Sequence, residues 1–120
     1  MSESLSFADV YRHAQNILEV CPHADIEISA ENLDELQRLI NANPGSMLLL
    51  VNRNHEYSYS FAALQHIRAL DNVKALALLF NNLSESYIAK VIQGNKDHRH
   101  YPIEAFLNKE DALKWLRTEN

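Results

Sequence analysis

Ser46-Met47-Leu48-Leu49-Leu50-Val51-Asn52 is the stretch that decides the fold. Five consecutive apolar residues stand between polar ones, directly after the turn signal Asn43-Pro44-Gly45. The pattern predicts a strand buried on both faces. A second run of this kind is Val73-Lys74-Ala75-Leu76-Ala77-Leu78-Leu79-Phe80. Between the two, Phe61, Leu64, Ile67 and Leu70 recur every third residue on one helical stripe. Ser60 is placed to cap that helix and Asp71-Asn72 to close it. Strand, helix, strand is a βαβ unit, so residues 47–51 and 73–80 should lie side by side and parallel.

Working outward, the alternation of helix and strand continues. Ser84 can cap a helix running to Gln93, with Ile88, Val91 and Ile92 inward and Gly94 as its left-handed end. Tyr101 to Leu107 reads as a strand, with Pro102 near its start, where a missing N–H does least harm. Asn108 caps a last helix whose apolar face is Ala112, Leu113, Trp115 and Leu116. Glu110 and Asp111 in its first turn, and Lys114 and Arg117 near its end, suit the helix dipole. Upstream, Ser29 or Ala30 to Ala42 forms a helix with Leu33, Leu36, Leu39 and Ile40 on one side, and Asp25-Ile26-Glu27-Ile28 alternates as a half-buried strand does. Residues 7–20 are ambiguous: Val10, Ala14, Ile17 and Leu18 also suit a helix, and pattern alone slightly favours one.

Composition narrows the class. The chain has 120 residues, the size of one domain, and 47% hydrophobic with 22% charged residues is globular. A net charge of −5 argues against a nucleic-acid binder and favours a basic patch on any protein partner. A lone cysteine, Cys21, makes no internal disulfide. The start, Met1-Ser2-Glu3-Ser4, lacks the charge and apolar run of a secretory signal, and neither apolar run approaches the ~20 residues of a membrane span. The expectation is a single cytoplasmic domain over residues 1–120 with an α/β fold, its sheet mixed and largely parallel with flanking helices.

Three stretches also carry a family likeness. They are Leu-Leu-Leu-Val-Asn-Arg-Asn-His-Glu-Tyr-Ser-Tyr-Ser (48–60), Val-Lys-Ala-Leu-Ala-Leu-Leu (73–79) and Ala-Phe-Leu-Asn-Lys-Glu-Asp-Ala-Leu-Lys-Trp-Leu (105–116). Together they resemble small bacterial STAS-like proteins, similar in fold to the anti-sigma factor antagonists. The resemblance covers roughly the last two-thirds of the chain. It implies that residues 7–20 form a pair of strands, and the order β-β-α-β-α-β-α-β-α, which we adopt. It also implies a regulatory or interaction domain rather than an enzyme. The antagonists carry a phosphorylatable serine in an Asp-Ser-Ser/Thr-Gly-Leu element after the central strand. Ser58 and Ser60 hold about that place here, but the glycine is missing and Tyr57 and Tyr59 flank them.

Candidate site residues follow from the topology. In open α/β sheets ligands bind beyond the carboxyl ends of the strands, where the loop 52–59 and the pair Asn81-Asn82 should meet. Arg53 offers a fixed fork of donors for a carboxylate or phosphate. His55 exchanges protons near neutral pH, and Tyr57 and Tyr59 offer apolar faces with polar tips. The helix starting near residue 61 would add its free N–H groups. A small anionic or small-molecule ligand, bound or turned over, is therefore the alternative to a protein partner. The plainer reading pairs Arg53 with Glu56 and packs the tyrosines over the sheet. His98 and His100 in Lys96-Asp97-His98-Arg99-His100 lack the further ligands of a zinc site, so no metal or other cofactor is expected. No catalytic residue is assigned: Cys21 has no evident base, and there is no Gly-x-Ser-x-Gly elbow. Self-association through a helix face remains open.

Overall fold

The computed structural model describes residues 2–52, 58–67, 69–80 and 101–119. In chain order the elements are β1 (Ser2–Ser4), β2 (Ala8–Ala14), β3 (Ile17–Pro22), β4 (Glu27–Ile28), α1 (Ala30–Asn41), β5 (Met47–Asn52), β6 (Ser58–Tyr59), α2 (Phe61–His66), β7 (Val73–Leu79), β8 (Ile103–Phe106) and α3 (Lys109–Thr118). Among the described residues the main sheet has six strands in the order β1-β2-β3-β5-β7-β8. The first three pair antiparallel and the rest run parallel, so the sheet is mixed and mostly parallel. β4 and β6 form a separate two-stranded parallel ribbon.

The two apolar runs lie where their patterns place them. β5 and β7 are neighbours, with Leu48 opposite Ala75 and Val51 opposite Leu78. Every β5 residue is buried, because β5 has a strand on each side and helices on both faces. Its side chains alternate between two cores. Met47, Leu49 and Val51 join Leu33, Leu36 and Ile40 of α1 and Ala63 of α2. Leu48 and Leu50 join Ala75, Ala77 and Leu79 of β7 and Ala112 and Leu116 of α3. Each buried leucine stabilises the fold by about 1.5–3 kcal/mol relative to an exposed one. A one-residue register slip would also drive Asn52 from the α3 side into the α1/α2 core.

Caps and turns follow the sequence closely. Ser29 caps α1, its hydroxyl accepting from Asn32 N–H at 3.2 Å while its own N–H donates to Asn32 Oδ1 at 2.9 Å. Ser60 Oγ accepts from Ala63 N–H at 3.1 Å, and Asn108 Oδ1 accepts from Glu110 N–H at 2.8 Å. Gly45 takes the left-handed φ of +80° that the turn before β5 needs. Asn72, also left-handed at φ +62°, turns the chain into β7.

Residues 7–20 form the pair of strands that the resemblance implies, and not the helix that pattern alone slightly favours: β2 buries Ala8 and Val10 while exposing Asp9 and Tyr11, a period of two that the mixed apolar spacing obscured. Two element boundaries differ from the sequence reading. The helix expected to reach residue 70 is regular only to His66. The buried Tyr101 hydroxyl takes over beyond it, donating to the Ile67 carbonyl and accepting from Leu70 N–H. The strand expected from Tyr101 is regular from Ile103. The helix expected over 84–93 and the cluster 96–100 lie outside the described residues. No helix among the described residues is long and apolar enough to cross a membrane.

Candidate functional site

α3 lies across β7 and reaches β5 and β8. The β2 and β3 end of that sheet face has no helix over it among the described residues, and a cleft of about 390 Å³ opens there. It is lined by Tyr11, His13, Glu19, Cys21, Asn52 and Lys109. The topology explains this set. Tyr11 and His13 alternate on β2, Glu19 and Cys21 on β3, and Val20 pairs with Val51, so Cys21 and Asn52 are the next residues on adjacent strands. Lys109 opens α3, immediately after the Asn108 cap. The cleft thus sits toward the carboxyl ends of the parallel strands, where α/β sheets expose ligand sites.

At its base is Glu19, 2% exposed, which with Asn52 is the buried polar pair of the described residues. Glu19 Oε2 accepts from Asn52 Nδ2 at 2.6 Å, from Lys109 Nζ at 3.1 Å and from the Cys21 thiol at 3.4 Å. Oε1 lies 2.5 Å from His13 Nε2. Burial alone pushes the Glu19 carboxyl up, but the hydrogen bonds from Asn52, His13 and Lys109, with the Lys109 charge, outweigh it and hold it below its ordinary value. Glu19 is therefore a carboxylate at neutral pH. A carboxylate only accepts, so His13 Nε2 carries the proton and Nδ1 is its second nitrogen.

The same surroundings decide what Cys21 is. Burial, then the neighbouring Glu19 charge and hydrogen bond, push its thiol up to about 12. It is a protonated donor rather than a nucleophile at neutral pH. Lys109 is also informative. A cation at the first position of a helix opposes the dipole, at a cost of about 0.3–1 kcal/mol. Its ammonium nevertheless points to Glu19, and a buried anion 3.1 Å away offsets that cost. Near the cleft, at the Cys21 end of β2, Asp9 Oδ1 and His23 Nε2 form an exposed pair at 3.5 Å. Among the described residues no three His, Cys, Asp or Glu side chains converge to hold a metal ion.

Of the residues singled out in the sequence, Arg53, His55, Tyr57, Asn81 and Asn82 lie outside the described residues. The others lie away from the cleft. Tyr59 packs against the α1/α2-side core with Ile28 and Val51, on the opposite face of the sheet from Glu19. Ser58 is exposed on β6, paired with Glu27, and Ser60 is half-buried as the α2 cap. Among the described residues of the loop 52–59, Asn52 is the one that lines the cleft. His13, Glu19 and Lys109 were missed. The available signal was Glu19 itself, the lone charge in Ile17-Leu18-Glu19-Val20-Cys21. Once that run is read as a buried strand, an unexplained acid stands inside it.

No family model matches this chain, and no curated protein matches it either.

Proposed function

We propose that the chain is a STAS-like domain of bacterial regulatory type that acts by recognition rather than turnover, with the Glu19 cleft as its recognition site. The single observation that carries this is an ionised carboxylate buried beside Asn52 in an apolar part of the sheet, at the base of an open cleft. Replacing a buried ionic cluster by well-packed apolar residues is often neutral or stabilising, so stability alone gives little reason for Glu19, Asn52 and Lys109 to converge there. Clusters of this kind in clefts mark functional sites more often than chance. Recognition is favoured over turnover because the thiol is held protonated and the carboxylate is committed to four donors. The STAS-like assignment draws on the three resembling stretches and on a sheet that is antiparallel at its N-terminal end and parallel elsewhere.

The small-anion or small-molecule reading, as binding protein or enzyme, shares Asn52 with this cleft and differs in drawing its other groups from Arg53, His55, Tyr57, Tyr59, Asn81 and Asn82. A phosphoserine switch belongs to the same family proposal. Ser58 is the accessible serine for it, since the Ser60 hydroxyl is engaged in capping.

A thermal-shift screen of small polar metabolites, with hits repeated on Asn52→Leu, tests the proposal. Compounds that stabilise the wild type and lose their effect in the variant support it. A screen without hits, or hits indifferent to Asn52→Leu and to Lys109→Gln, overturns the cleft as the recognition site.

A further inference from the structure

We propose that the cleft takes a small oxyanion, a carboxylate or phosphate on a compact organic body. This rests on reading the cleft as a binding site and names what it binds. The first step is that Glu19 is spent. An ionised carboxylate has about four lone-pair sites, and Asn52, Lys109, Cys21 and His13 already face its two oxygens. A cationic ligand would have to displace one of them.

The second step is what remains for a ligand. Lys109 Nζ has two protons to give beyond the one that faces Glu19, and its side chain is 45% exposed. Asn52 has a second amide proton, and Tyr11, 45% exposed, brings a phenol and an aromatic face. The residual hydrogen-bonding capacity of the cleft is thus weighted toward donors, the complement of an oxyanion. A volume of about 390 Å³ suits a small organic molecule.

The third step is charge. The groups around His13 are Asp9 and Tyr11 on β2, Glu19 and Cys21 on β3, His23 just beyond it, and Lys109 on α3. Asp9 faces His23, and Cys21 stays a thiol. The Lys109 ammonium lies 3.1 Å from Glu19 and balances the buried carboxylate, and its remaining N–H groups can meet an incoming anion. No covalent bond changes.

Isothermal titration with benzoate, phenyl phosphate, benzamide and benzylamine tests this, because the four share a ring and differ in charge. Benzoate or phenyl phosphate should bind, and comparing them tells whether carboxylate or phosphate is preferred. Lys109→Gln should weaken the anion about tenfold, the scale of one charge-assisted hydrogen bond. Benzylamine or benzamide binding as tightly as benzoate would overturn the oxyanion assignment while leaving a recognition cleft. Anion binding unchanged by Lys109→Gln would overturn it too, as would failure of all four probes at millimolar concentration.

Discussion

Lys109 should change the sign of its contribution to stability according to whether Glu19 is present. In the wild type, Lys109→Met removes the full positive charge beside a carboxylate that is 3% exposed. Losing one member of a buried ion pair costs about 3–5 kcal/mol when nothing else compensates. Here Asn52 and His13 still donate to Glu19, at 2.6 and 2.5 Å, and the lysine side chain is 45% exposed, so the expected loss falls to about 1 kcal/mol. Glu19→Gln alone should lose about 2 kcal/mol. Two short charge-assisted hydrogen bonds become neutral ones, at roughly 1 kcal/mol each. The new amide also presents a donor where Asn52, His13 and Lys109 already donate. For a chain of this size that is a fall of roughly 5–10 °C in Tm. In the Glu19→Gln background the lysine has only the helix dipole to answer to. Lys109→Met should then stabilise by about 0.3–1 kcal/mol, the cost of a cation at a helix N-terminus. Urea denaturation of the four proteins at pH 7 closes the cycle. A Lys109→Met effect of the same sign and size in both backgrounds would refute the coupling and the account of why a lysine opens α3.

Three further outcomes follow from the same geometry. The Glu19 carboxyl lies below its ordinary value when folded, so its contribution is present above the unfolded-state value near pH ~4.3 and is lost as pH falls through the folded one; acid denaturation profiles should show a shallower acid limb for Glu19→Gln than for wild type. Cys21, 7% exposed with its thiol pushed up to about 12, should react with a disulfide reagent at near-neutral pH far more slowly in the native protein than in urea, and equal rates would contradict the buried thiol. Ala77→Leu adds three carbons to a fully buried position beneath α3 and should destabilise by about 1–3 kcal/mol in thermal melts, whereas the exposed Ala105 on β8 should accept the same change within about 0.5 kcal/mol.

The framework was legible because it is local. A five-residue apolar run has to be covered on both sides, and Ser29, Ser60 and Asn108 each satisfy backbone groups within three residues of themselves. Residues 7–20 were harder. Period-two and helical spacing overlap when apolar residues fall at 8, 10, 14, 17 and 18, and only the pairing of β2 with β3 selects one. Of the candidate site only Glu19 left a mark in the sequence, as the lone charge in a buried run. Attention went to the polar loop beyond β5, because polar and aromatic residues cluster there in sequence. The side chains that meet beneath the open face of the sheet instead come one or two at a time from β2, β3, β5 and α3.

What the chain determined by itself was therefore its α/β layering, the adjacency of its two central strands and the ends of its helices, since hydrophobic period and capping chemistry act over a few residues. What only the folded arrangement decided was which polar residues share a cleft. Glu19 becomes a buried, ionised group because strand order places Asn52 beside it and because α3 begins within reach of it. Electrostatic partnership depends on distance through space, and no spacing along the sequence encodes that.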